Sequence, residues 1–402
     1  MTSTPDDSDG RGHLMRALCS RPFAGRDLEV NAWRPAIVAL AGLCLVAVCA
    51  HYGVQVGRGG HEWKTADWLI NFEGGWVRRG LTGQLLHGLS GLGFPLLWST
   101  FWLQVLVHST VAVLVLRLFF SERRSAGWLA LLFSPAFILL FPLYDMEAGF
   151  RKEILVFLSF SLLALGSMKG RLRHPYAAAS LGCYALGVFS HELVSLCVLF
   201  FVCLLWRFLQ ANPGERAAGK MYLAGFLALA AAGLLFSAAF RGTERTAQEI
   251  CLSLQGRGLN PEICGGAIRW LALDSEHAWD RVVIPLPRYL LLYLFPLTAA
   301  LVPLFLARKP RRLSLWLLAC MIPLVPLFVF ATDWGRWIHA GFTLAGIVLL
   351  TESRREKVFL PKVPIAVVVL YASVWSVPHW IPEGGSGFFG AFSFLARWWG
   401  KF

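Results

Sequence analysis

The chain has 402 residues, 56% of them hydrophobic and only 15% charged, with a mean hydropathy of +0.58 and a formal net charge of +13. Soluble domains carry roughly 25% charged residues, so this composition excludes an ordinary soluble globular protein. The cations punctuate apolar runs instead of forming one stripe, which argues against nucleic acid as a partner.

Apolar runs of about 15 to 25 residues recur along the chain, each suited to a helix crossing a bilayer. They do not alternate with period two, so a β-barrel is not expected. The expected fold is all-α: a polytopic transmembrane helical bundle of about eleven spans.

Residues 1–34 are polar and read as a cytoplasmic tail. Residues 35–55 then form an anchor, too long for a signal-peptide core. Further spans are expected near 95–117, 126–144, 154–168, 176–190, 193–209, 221–240, 288–307, 313–331, 338–351 and 363–380. The bundle thus occupies residues 35–383. The remaining segment, 384–402, mixes Phe and Trp with Arg397 and Lys401, and reads as interfacial.

A cytoplasmic N-terminus places Arg123, Arg124, Arg171, Arg173, Arg308, Arg311, Arg354 and Arg355 inside, as the positive-inside rule requires. The same choice brings five polar islands to the outer side. The expected location is the inner membrane of a bacterium.

The first island, within the 56–94 loop, is the densest. Asp67 to Gly83 holds Asp67, Glu73, Arg78, Arg79 and four glycines. Leu69, Phe72, Trp76, Leu81 and Leu85 give an apolar face, so the segment is expected to lie along the membrane as amphipathic helices broken at Gly74-Gly75. Arginine suits phosphate, because its planar fork donates parallel hydrogen bonds and stays charged. The alternative is an interfacial helix with snorkelling arginines.

The second island, Asp145 to Glu153, carries Asp145, Glu147, Arg151 and Lys152. Carboxylates two apart can share a divalent cation or offer a base. They can equally serve the dipole of the next helix, with Glu147 paired to Arg151. The third island is Ser190-His191-Glu192. A zinc-protease helix would need a second histidine at position 195, which is Ser195, so that reading fails. His191 and Glu192 remain as an acid or base at membrane depth, or as an interhelical contact. The fourth island is the larger outer loop, 241–287, where Cys251 and Cys264 are the only thiols and form a disulfide candidate. The fifth, Asp333-Trp334-Gly335-Arg336-Trp337, offers a carboxylate and an arginine at i,i+3 spacing, which can pair with each other or serve a substrate.

No nucleotide phosphate loop and no nucleophile elbow is present, so an ATP-driven reaction is not expected. F-E-G-G-W-V-R-R-G-L, S-H-E and D-W-G-R-W resemble motifs of multi-span proteins from bacterial surface-polysaccharide clusters, the O-antigen polymerase-like and related glycosyltransferases. The resemblance implies sugar transfer at the periplasmic face from a polyprenyl-diphosphate-linked donor. By it, Arg78, Arg79 and Arg336 would hold the diphosphate, with Arg151 and Lys152 beside them. A carboxylate would deprotonate the acceptor. The amphipathic first loop also resembles the C-type glycosyltransferase fold, which would nominate Asp67 or Glu73. The partners implied are a lipid-linked oligosaccharide, membrane lipids and other polysaccharide-assembly proteins. A flippase for lipid-linked glycan and a membrane acyltransferase are the alternatives.

Overall fold

The computed structural model describes residues 30–168, 170–273, 280–282, 286–356, 358–380 and 388–399. The polar tail before Val30 and, of the 384–402 segment, residues 384–387 and 400–402 therefore lie outside the described residues. Among them the chain is helical, and its one β-contact is an isolated bridge between Arg308 and Phe359.

Six helices are long and apolar enough to cross a membrane: Val30–Gly57, Leu96–Phe119, Glu192–Ala211, Pro213–Ala239, Leu286–Leu306 and Arg311–Phe330. Ile154–Ser167 and Ile365–Val374 are apolar but shorter. The expected run at 126–144 is not one helix. It forms Gly127–Leu132 and Phe141–Tyr144, joined by turns. Broken backbone at this depth is tolerated where protein covers it, and residues 127–129 and 131–142 are all buried.

The Trp334–Glu352 helix is the axis of the fold. All 19 of its residues are buried. It packs against Ile154–Ser167, Leu286–Leu306, Leu96–Phe119 and Val198–Ala211. A helix enclosed on all sides can be apolar or small all round, and here Gly341, Ala345 and Gly346 let neighbours approach. Its length is about 28 Å at 1.5 Å per residue, close to the thickness of a bilayer's hydrocarbon core.

The charges on this helix sit at its ends. Arg336, in its first turn, pairs with Glu153, which precedes Ile154–Ser167. Glu352, in its last turn, pairs with Arg207 at 3.2 Å and Arg355 at 2.9 Å, and Arg355 also donates to the carbonyl of Ser167. The two helices therefore run parallel, with matched ends. Arg124 donates to the Leu350 carbonyl at 2.9 Å and to Ser353 at 3.0 Å. Close van der Waals contact between helix surfaces holds the packing, while these pairs fix which end of each helix meets which.

Candidate functional site

The residues named from the sequence gather at the Arg336 end of that axis, and most of them join one network. Lys64–Leu69 is a short helix with every residue buried, and it carries Asp67. Leu81–Gly91 follows after an irregular stretch. The chain folds back tightly there: a Cβ on Gly83 would stand 1.9 Å from the Ile70 carbonyl oxygen, so only glycine lets the two segments meet.

Arg78 and Arg79 lie in that irregular stretch and not on a helix. The expected break at Gly74-Gly75 extends across residues 70–80. Arg79 sits at φ 68°, in the left-handed region that non-glycine residues seldom occupy. The turn sends its guanidinium into Glu192, which it grips through Nε and Nη2. Arg78 instead donates its backbone N–H to the Phe240 carbonyl at 2.8 Å, and its side chain is half-buried at the edge of the site.

The Asp145 to Glu153 island separates into two fates. Lys152 is fully buried, donates to the Arg79 carbonyl at 2.7 Å and lies 4.0 Å from Asp67. Burial pushes the Lys152 ammonium down to about 8, although Asp67 opposes the shift. Burial also favours the protonated form of Asp67, but Lys152, His191 and Arg79 outweigh it and hold that carboxyl below its ordinary range. Neither Asp67 oxygen accepts a hydrogen bond among the described residues. Glu153 receives Arg336, which also donates to Asp333.

Arg151 turns away from Glu147. It donates to the Trp63 carbonyl at 3.1 Å and lies over the Trp63 ring. Glu147 is exposed and makes no ion pair among the described residues, so the expected i,i+4 pair is not formed. Asp145 belongs to a different contact. Its Oδ2 accepts from the backbone N–H of His379 at 2.6 Å and from the His379 ring at 2.7 Å. Glu73 also stands apart: its carboxylate is 43% exposed and lies 3.4 Å from His87.

His191 caps the short Glu192–Leu196 helix. Its Nδ1 accepts the Leu193 N–H at 3.2 Å, which places the ring proton on Nε2, 3.8 Å from Glu153. Burial lowers the His191 pKa, with Arg79 adding to the effect, so the ring stays neutral.

Three cations (Lys152, Arg79 and Arg336) and four carboxylates (Asp67, Glu192, Glu153 and Asp333) thus join in one network, with the neutral His191 ring between Glu192 and Glu153. The helices beginning at Ile154, Glu192 and Trp334 all open at this cluster, bringing the positive ends of their backbone dipoles together.

Sequence reading missed the layer beneath. Lys64 is fully buried and donates to the Met146 carbonyl at 2.8 Å. Gln104 donates to the Phe150 carbonyl at 2.8 Å and accepts from Tyr52 at 2.8 Å. Trp68 donates to the same Phe150 carbonyl, also at 2.8 Å. Phe150, at φ 60°, turns that carbonyl toward both donors. A cavity of about 20 Å³, room for roughly one water, is lined by Arg151, Glu153, Arg336, His108 and His339. For Tyr52, Gln104, His108 and His339 the signal was polarity inside apolar spans; Lys64 and Trp68 lie in the first outer loop and had none.

The structure pairs Cys251 with Cys264, with Cα atoms 6.0 Å apart. The Glu244–Gln255 helix of the same loop packs close to Gly74 through Thr246 and Glu249. No group of three or more His, Cys, Asp or Glu side chains is arranged to hold a metal among the described residues. Compared with family models, characterised proteins and solved structures, the chain matches none of them.

Proposed function

We propose that the chain is an integral membrane glycosyltransferase or polysaccharide polymerase that takes sugar from a polyprenyl-diphosphate-linked donor. In this reading the chain crosses a bacterial inner membrane about eleven times with its N-terminus in the cytoplasm, and the cluster faces the periplasm. The observation that supports it best is the convergence of polar segments from four distant parts of the sequence at one end of the central helix. Arg79 comes from the first outer loop, Lys152 and Glu153 from the second island, His191 and Glu192 from the third, and Arg336 from the last.

A diphosphate carries charge that needs donors already in place. Arg79 and Arg336 offer fixed forks, Lys152 a point charge, and Arg78 a further guanidinium at the rim. Three helix N-termini add partial positive charge. In the resting protein the carboxylates of Glu192, Glu153 and Asp333 occupy the forks, which keeps buried cations paired. A phosphate oxygen entering beside Arg78 competes for the same donors.

The flippase alternative draws on the interrupted 127–144 segment, since broken helices mark many transport sites. The charges lie at helix ends, which favours a site at the membrane face instead.

The test is turnover. The full chain in lipid nanodiscs is given lipid-linked glycan extracted from membranes of its own cells, and release of polyprenyl diphosphate is followed. The expected result is release coupled to glycan growth, lost in Arg79→Ala and Arg336→Ala. Absence of release, together with translocation of the same lipid in proteoliposomes, would replace the transferase with the flippase.

A further inference from the structure

We infer that His379, held by Asp145, is the general base that takes the proton from the acceptor hydroxyl; the inference rests on the transferase reading above. The carboxylates of the cluster are poorly suited to that task. Glu192, Glu153 and Asp333 each face a guanidinium. Asp67 is buried beside Lys152, with its side chain only 2% exposed. His191 spends its ring lone pair as a helix cap.

His379 is different. Asp145 Oδ1 is fixed by the Ala148 N–H at 3.1 Å, while Oδ2 takes both the backbone N–H and the ring Nδ1–H of His379. This contact sets the tautomer and turns the lone pair of Nε2 away from Asp145. Nε2 has no hydrogen-bond partner among the described residues, and the side chain is 12% exposed, so the ring is not sealed inside the protein. The backbone seat is rigid. Tyr293 donates to the Pro378 carbonyl at 2.8 Å, and Gly335 N–H donates to the His379 carbonyl at 3.3 Å. His379 is thereby fastened to the first turn of the helix that carries Arg336. The titratable groups facing it are Asp145, Asp333 and His61.

The step balances. Nε2 accepts the hydroxyl proton as the acceptor oxygen bonds to the anomeric carbon. The bond from that carbon to the diphosphate oxygen breaks, and its electron pair leaves on the diphosphate, which the arginines hold. Asp145 stabilises the imidazolium until it returns the proton to water.

The experiment uses the full chain in nanodiscs, with extracted lipid-linked glycan as donor and geranylgeranyl diphosphate as binding probe. His379→Ala and His379→Gln are expected to lower kcat by roughly 100-fold or more and to abolish the acid limb of the pH-rate profile. Affinity for geranylgeranyl diphosphate should stay within about twofold, since neither variant removes a cation. Asp145→Asn should lower kcat and displace the acid limb. Both His379 variants turning over at close to the wild-type rate would overturn the inference and leave the transferase standing. A wild-type protein that neither binds the probe nor consumes the donor would overturn the transferase reading itself.

Discussion

The buried Lys152 ammonium donates a 2.7 Å hydrogen bond to the carbonyl of Arg79, a residue held at φ 68°. A left-handed non-glycine residue is unfavourable by about 1–3 kcal/mol unless its surroundings over-determine it. Here one lysine proton fixes the carbonyl and Glu192 fixes the side chain. The strained turn, the buried cation and the carboxylate of Asp67 are therefore one unit.

That unit makes a pH prediction. Lys152 loses its proton near 8, well below its ordinary 10.5. Transfer should fall as pH rises through about 8, because Asp67 then loses its nearest cation. Stability moves the other way. Between about 8 and 10.5 the unfolded chain binds the proton that the folded chain has released, so this group's contribution to stability increases with pH across that window. Rate and thermal unfolding measured from pH 7 to 10.5 should diverge, and Lys152→Met should remove the divergence.

Arg336 should tolerate no substitution that shortens its fork. It donates to Glu153 and Asp333 together, from a side chain 8% exposed. Arg336→Ala leaves the nearly buried Glu153 uncompensated, which costs about 3–5 kcal/mol. Arg336→Lys should recover less than half of that, since an ammonium cannot present two parallel faces. Arg336→Gln combined with Glu153→Gln should be more stable than Arg336→Gln alone. Thermal unfolding in detergent reads all four variants, and equal stability of Arg336→Gln with and without Glu153→Gln would mean that the unpaired Glu153 carboxylate is not what costs stability.

Much of this was legible in the sequence, and the limits have physical causes. At the far end of the bundle Arg207 and Arg355 pair with Glu352 and Arg124 binds the Leu350 carbonyl beside it, the end where the basic loops at 123–124 and 354–355 were expected to fall together. Arg79, Lys152, Glu192 and Arg336 stood out because charge beside apolar spans needs a partner. What spacing could not show was which partner. Glu147 and Arg151 sit at i,i+4, yet no helix forms across them and the pair is absent. The 126–144 run has the composition of a span, but Pro135 falls among the turns that interrupt it and Pro142 sits at the start of the short helix that follows, and burial hides the break from hydropathy. His379 has no motif around it and meets Asp145 only through the fold.

Cys251 and Cys264 give a test of sidedness. A disulfide persists in an oxidising compartment, so if the proposed orientation holds, a membrane-impermeant maleimide added outside the cytoplasm should label both thiols only after reduction. Replacing both with serine removes a short covalent loop worth about 3 kcal/mol. The Glu244–Gln255 helix should then become more sensitive to added protease, with the membrane helices unchanged. Labelling of untreated protein at both positions would remove the cross-link from the account.

Gly335 offers the sharpest probe of how the site is seated. A Cβ there would stand 2.0 Å from the Pro378 carbonyl oxygen and 3.0 Å from the Cα of His379. The listener to such a clash is backbone held by Tyr293, so it has little room to yield. Gly335→Ala should push residues 378–379 away from the first turn of the central helix and lengthen the Asp145 to His379 contact. The expected outcome is a loss of about 1–3 kcal/mol of stability, the usual range for overpacking. The fall in transfer should be larger than that of Gly341→Ala. A Cβ at Gly341 meets the flexible Met321 side chain, at 2.7 Å from its sulfur, and that neighbour can move. If the two alanine variants lose stability and activity equally, the close approach at Gly335 has no special bearing on the site.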